Sequence, residues 1–316
     1  METKQMYVAD LNIVFGKKEE PLIEHIDDIV LPALQDGLYI EASERIGYVF
    51  ENVKLNEIES NEYVIQGILI KDTILDVMSE YSRENGLEKT DKHFKSSPYS
   101  VFIVYLKNHR MVLVKNQSGS PDIRSFGSAL KEAMKRYVVG QNQERKLNAV
   151  ELLPMPKANI AGIKTVQSVK EALKDVEKIS QLVFKFYPLN EEWDYGSVFG
   201  EIDKKIRKEI ESKKGKMVFP SPKSKDGVAE IIEATEGLVQ SEMKVIYKSD
   251  LSVSGTKKKG VIRDSEISEV MNVDLINELD EAYLEIHESG KGIKALEIQT
   301  QNNLLSYQRF LSKKKK

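Results

Sequence analysis

Asp122, Glu144 and Lys146 are the residues whose types match a catalytic constellation. Metal-dependent nucleases use two carboxylates to hold Mg²⁺ and a lysine to stabilise charge developing on phosphate. In that chemistry the carboxylates usually stand on adjacent strands. Here Pro121-Asp122 sits where a helix should begin, and Glu144-Arg145-Lys146 falls in a polar loop at the mouth of a strand. The spacing therefore favours a helix-start role for Asp122. His25, His93, His109 and His287 occur singly, with no pair at i, i+4, which argues against a zinc site. Gly255-Thr256-Lys257 resembles the end of a phosphate-binding loop but lacks the upstream glycine and a Ser or Thr after the lysine. No Gly-x-Ser-x-Gly elbow occurs. No metal site and no cofactor are expected, Mg²⁺ entering only under the nuclease alternative.

Binding chemistry is better represented. Lys257, Lys258 and Lys259 lie between two β-prone segments, flanked by Lys248 and Arg263. Three adjacent lysines at a hairpin tip cannot all pair locally, and such a tip can straddle phosphates. Arg124, Lys131 and Lys135 recur at helical spacing opposite an apolar stripe, with Arg136 beside them. An ordinary solvated helix face is the competing reading there. A third group spans Lys204, Lys205, Arg207, Lys208, Lys213, Lys214 and Lys216, but Glu201 and Glu209 stand at i, i+4 and offset part of it. Tyr187, Trp193 and Tyr195 are candidates for base stacking, though an apolar anchor beneath a loop is the commoner role for such a tryptophan. No ribonucleoprotein-type motif occurs, so charge argues for salt-sensitive nucleic-acid binding without sequence specificity.

The charge is segregated along the chain. Residues 1–100 carry 10 Lys and Arg against 20 Asp and Glu, residues 101–226 carry 24 against 15, and residues 227–316 carry 13 against 15. An overall charge of −3 thus hides an acidic first third joined to a basic middle, a pattern that concerns partners rather than fold. The 316 residues are 41% hydrophobic, enough for two ordinary domains with real cores. Cysteine is absent, which excludes disulfides, thiolate metal sites and cysteine nucleophiles. The opening Met1-Glu2-Thr3-Lys4 has no basic patch or apolar run, and the longest apolar stretch, residues 101–106, is far short of the roughly 18 residues of a membrane span. A cytoplasmic protein without membrane insertion is expected.

The elements that must position these residues follow from periodicity. Alternation over residues 6–15 predicts a strand, and Leu22, Ile26, Ile29 and Val30 predict a helical segment after Pro21. Residues 45–58 and 62–71 predict a hairpin, and residues 81–97 a polar interval. The apolar runs 99–106 and 111–114 imply a central hairpin covered on both faces. A helix follows, with Pro121 at its first position and a stripe of Ile123, Phe126, Leu130, Ala133 and Tyr137. A short strand over 148–153 and a Pro-containing linker over 154–162 place a domain boundary near residue 160. Beyond it the pattern predicts helices at 166–176, 197–212 and 227–237, strands at 181–187 and within 242–263, helices at 265–286 and 293–311, and a solvated tail at 313–316. The class is α+β with largely antiparallel sheets and two domains, 1–160 and 161–316.

The apolar hairpin of residues 98–114 leading into a helix, and the run 245–262 leading into a terminal helix, resemble the order of elements in phage-exclusion proteins of the Rex exclusion protein A type. The strand Ala9-Asp10-Leu11-Asn12-Ile13 is similar to one in a related bacterial and prophage defence family. The resemblance covers about two-thirds of the chain at the level of pattern and transfers no catalytic residue. It implies a cytoplasmic anti-phage protein that binds nucleic acid, with DNA as the leading partner, and works with a protein partner that could be membrane-bound; a homo-oligomer is expected beside it. The alternatives are a metal-dependent nuclease using Asp122, Glu144 and Lys146, and a protein–protein adaptor in a defence complex.

Overall fold

The computed structural model describes residues 2–187, 209–210, 212, 214–235, 237–251, 257–263, 270–275, 278–291, 293–297 and 301–314. β1 (Glu2–Phe15) turns through β2 (Glu20–Pro21) into a helical segment that ends in α1 (Leu31–Gln35) and buries Leu22, Ile26, Ile29 and Val30. β3 (Ile40–Ser43), β4 (Ile46–Glu59) and β5 (Glu62–Ser82) follow, and a short turn joins β5 to β6 (Gly86–Ser96). Next come β7 (Tyr99–Tyr105), β8 (Arg110–Lys115), α2 (Ile123–Leu147) and β9 (Pro156–Gly162). The large antiparallel sheet runs β1-β8-β7-β5-β4-β3, with β9 on the edge of β1 opposite β8.

β7 is buried along both faces, as its apolar run requires. Phe102 packs edge-on against Phe126 of α2, ring centroids 5.0 Å apart, and Phe50 stands 5.7 Å from Phe126. On α2, Ile123, Phe126, Leu130 and Ala133 are buried and Tyr137 is half-buried, so the predicted stripe is the packed face. Asp122, rather than Pro121, starts the helix: its Oδ1 accepts from the Ser125 amide at 2.7 Å.

The second half holds α3 (Val166–Ala172), β10 (Val176–Phe186), β11 (Gly215–Pro220), α4 (Lys225–Ala234), β12 (Gln240–Leu251) and β13 (Lys257–Arg263). The small sheet, ordered β11-β10-β12-β13, packs one face on α3 and α4 through Leu182, Phe184, Met243 and Ile262. The chain then returns to the large sheet. β14 (Val270–Leu275) pairs with the start of β1, and α5 (Leu279–Gly290) and α6 (Lys294–Glu297) cover its second face with Tyr283, Ile286 and Leu296. α7 (Gln301–Lys314) seats Tyr307 and Phe310 in the first core. Among the described residues no helix is long and apolar enough to cross a membrane.

The α+β class stands, but several predicted elements move. The "linker" 154–162 is mostly β9, which pairs with β1 over seven positions, while 148–153 forms no strand. The large sheet therefore takes in residue 162 and regains residues 270–275, so the 166–263 unit is an insertion and not a C-terminal domain of 161–316. The polar interval 81–97 is largely an arm. Past Thr73, β5 keeps only β6 as a partner, and Leu75, Tyr81, Leu87 and Phe94 stand exposed on it. Part of the helix predicted at 265–286 is β14. The helix predicted at 197–212 lies almost wholly outside the described residues.

Of the predicted solvated tail, Lys313 and Lys314 continue α7, exposed but paired with Glu24 at 2.8 Å and Asp27 at 2.9 Å; residues 315–316 lie outside the described residues. Tyr307 donates its hydroxyl to the Asn61 carbonyl at 2.8 Å and accepts the Tyr63 amide at 2.7 Å. Tyr307→Phe should therefore destabilise by about 1–2 kcal/mol in denaturant unfolding, because the Tyr63 amide loses its acceptor in a half-buried site.

Candidate nucleic-acid interface

Where the insertion meets the large sheet, α2 and the outer face of the small sheet form two walls of a groove floored by β9. Its volume is about 380 Å³. Arg124 and Lys131 enter from α2, two helical turns apart, with Gly127 and Ser128 between them. Gly127 faces Ile160 of β9, where a Cβ would make ordinary van der Waals contact at 3.4 Å. Lys185 and Tyr187 come from β10 and its end, Gln240 and Glu242 from β12, and Arg263 from the end of β13.

Strand alternation explains the small-sheet wall. Leu182, Phe184 and Phe186 face the helices, so Lys185 faces out, and register sets Lys185 beside Gln240 and Lys216, and Glu242 beside Arg263. Lys244 and Lys259 occupy the same outer face further along. The groove thus opens onto a basic surface. Glu242, whose charge is met by Lys185 at 3.0 Å, is held below the usual carboxylate range by that bond. Among the described residues no carboxylate pairs with Arg124 or Lys131.

The structure brings together Arg124, Lys131 and Arg263 from the sequence-predicted set. Lys135 lies one turn further along α2 and pairs with Glu132 at 3.8 Å; Arg136 also pairs with Glu132, at 2.8 Å, and reaches the Tyr39 carbonyl. Lys257, Lys258 and Lys259 open β13, where Lys257 is paired with Leu251 and Lys259 with Ile246 of β12; the predicted tip itself, residues 252–256, lies outside the described residues. Lys258 rests 5.7 Å from the Tyr247 ring centroid, and Lys248 donates to the Lys174 carbonyl at 2.6 Å. Lys257, Lys258 and Lys259 sit four to six residues before Arg263 along β13, and Lys248 is on β12. Lys204, Lys205, Arg207, Lys208, Lys213, Trp193 and Tyr195 lie outside the described residues.

The nuclease arrangement is not assembled. Asp122 caps one end of α2, whereas Glu144 and Lys146 occupy its last turn, in helix and not in a loop. At 1.5 Å per residue, about 33 Å of helix separates the two carboxylates. They cannot share an ion.

Three features escaped the sequence reading. Asn159 of β9 lines the groove while only 8% exposed; its Oδ1 accepts from Gln240 Nε2 at 2.9 Å, and its Nδ2 has no acceptor. Asp10, Arg110 and Lys164 are fully buried next to the floor strand, Arg110 Nη1 standing 3.1 Å from Asp10 Oδ1 and Lys164 donating to the Val239 carbonyl at 3.3 Å. Burial pushes the Asp10 carboxyl up to about 6, against the opposing pull of Arg110 and Lys164. Beside them burial, then Arg110, pushes His109 down to about 4. The third feature is that histidines isolated in sequence meet carboxylates in space: His25 with Glu20 at 2.9 Å, His93 with Asp76 at 2.7 Å and His287 with Glu59 at 3.5 Å. Glu59, His287 and Glu288 approach closely enough to offer ligand atoms, but Lys291 pairs with both carboxylates at 2.7 Å and meets their charge.

Fold and groove together define a mixed α+β protein with a basic cleft between two antiparallel sheets. No protein-family model matches the chain, and no curated protein is significantly similar to it.

Proposed function

We propose that this protein binds nucleic acid, DNA in the first instance, through the groove between α2 and the small sheet, without catalysis of its own. The observation that carries the reading is the convergence of Arg124 and Lys131 with Lys185 and Arg263 in one cleft, although they come from three separate elements. Guanidinium and ammonium groups converging in one cleft suit phosphate oxygens, whose contacts carry no sequence information. The resemblance to phage-exclusion proteins supports a role in anti-phage defence in the cytoplasm, with a homo-oligomer and a protein partner, which could be membrane-bound, as parts of the same proposal.

Fluorescence anisotropy with labelled DNA at about 50 and 200 mM salt tests the binding reading. The expected result is binding at the lower salt that weakens by more than tenfold at the higher. An absence of binding at low salt would end the proposal. Loss of phage protection in an Arg124→Glu, Arg263→Glu variant that still folds would tie the groove to defence.

A further inference from the structure

We infer that the arm of β5 and β6 is a dimerisation arm, its apolar face packing on the same face of a second copy of this chain, antiparallel about a two-fold axis. The homo-oligomer proposed above thereby gains an interface; the groove plays no part in it.

The arm is a two-stranded ribbon in which Leu75 stands opposite Phe94 and Tyr81 opposite Leu87. Between Val77 and Ser79 two steps of β5 meet three of β6, so β5 keeps its alternation. Leu75, Val77 and Tyr81 therefore share one face with Phe94 and Leu87. Ser79 and Lys89 separate the two apolar pairs, and Lys92 is drawn to Glu80 at 2.8 Å. The other face is mixed: Asp76 pairs there with His93 at 2.7 Å and with Arg45, beside Ile74 and Met78.

On the apolar face Leu75 is 57%, Phe94 51%, Tyr81 74% and Leu87 75% exposed. About 500 Å² of apolar surface is thus uncovered on each arm, a size of patch that soluble chains use for binding. A two-stranded ribbon alone is marginal in water, so a covering partner also stabilises the arm. Two such faces together bury about 1,000 Å², the least that a specific interface needs.

The spacing points to a second copy as the occupant. The two apolar pairs lie equally far on either side of the level of Met78. A two-fold axis at that level, crossing the strands, lays one copy's Leu75 over the partner's Tyr81 and Phe94 over the partner's Leu87, each contact occurring twice. Charge agrees. The root of the arm holds Lys71, Lys92 and Lys95 against Asp72 and Asp76, and its outer half holds Glu80, Glu84, Glu88 and Asp91 against Arg83 and Lys89. The same axis sets each acidic tip on a basic root.

Light scattering at micromolar concentration should give twice the 36.0 kDa of one chain. Leu75→Glu with Leu87→Glu, both at exposed positions, should weaken the dimer by about a hundredfold or more. Ile74→Glu, on the other face, should leave it intact. Cysteine is absent from the chain, so a single introduced thiol reports one position. With a short bismaleimide, Ser79→Cys, near the axis, should link two chains; Glu84→Cys, at tips roughly 30 Å apart, should not. Should the glutamate variant fail to fold, the two cysteine variants decide alone. A parent that stays monomeric up to its solubility limit overturns the inference and the homo-oligomer with it. A dimer unchanged by the glutamate pair, or linked through position 84 and not 79, overturns this interface and leaves the homo-oligomer standing. DNA binding by the groove is read separately and is touched by neither result.

Discussion

Asp10→Ala should lower the free energy of unfolding by about 3–5 kcal/mol, the cost of removing one partner from a buried ion pair. Asp10 and Arg110 are 1% and 0% exposed, and Lys164 is buried beside them, so no solvent replaces the lost carboxylate. The charge also has a pH signature. The Asp10 carboxyl, pushed up to about 6, holds its proton more tightly in the native state than in the unfolded chain. Its contribution to stability therefore falls as pH rises from about 4 to 6. His109, pushed down to about 4, binds its proton less tightly when folded, so its contribution rises between about pH 4 and 6.5. The two slopes oppose each other, each on the order of 3 kcal/mol across its window. Denaturant unfolding at about pH 4.5, 5.5 and 6.5 should find Asp10→Asn with a rising profile and His109→Asn with a falling one. Asparagine is the replacement at 109 because His109 has φ 54°, a conformation asparagine tolerates. Profiles of equal slope in the two variants would contradict the buried titration.

The second large effect concerns the groove. Each phosphate contact contributes about −0.7 to the salt slope for a single strand and about −0.9 for a duplex. Three contacts, from Arg124, Lys131 and Arg263, give a slope of about −2, Lys185 being already paired with Glu242. Reversing Arg124 and Lys131 to glutamate should cut the slope to about a third and weaken binding at low salt by roughly a hundredfold, since two attractions are lost and two repulsions gained. Both side chains are exposed, so stability should change by less than about 0.5 kcal/mol. Lys135→Glu is the matched control. It lies on the same helix but outside the groove, already paired with Glu132, and should change affinity by no more than a few-fold.

One wall of this groove was legible in the sequence and the other was not. Arg124 and Lys131 fall opposite a helical stripe, so periodicity alone sets them on one exposed face. Lys185 alternates with Phe184 and Phe186 in a short strand, and nothing local says that its outer face meets α2. β9 was hidden by its neighbouring prolines, and Asn159 with it, although Pro156 only opens the strand, where its missing amide costs little. β6 reads as a polar interval because it leaves the body as an arm with both faces exposed. Asp10, Arg110 and Lys164 stand on β1, on β8 and just after β9, three separate stretches of chain, and only strand pairing brings them together. Local periodicity carries elements; it does not carry contacts between distant strands.

The central claim is where the nucleic acid lies, and site-specific photocrosslinking reads that directly. A photoreactive benzoylphenylalanine placed at Ser128, between Arg124 and Lys131 in the groove, should crosslink to bound oligo-dT. The same residue placed at Gln143, exposed near the far end of α2, should not. Crosslinking from position 143 with none from position 128 would contradict the account.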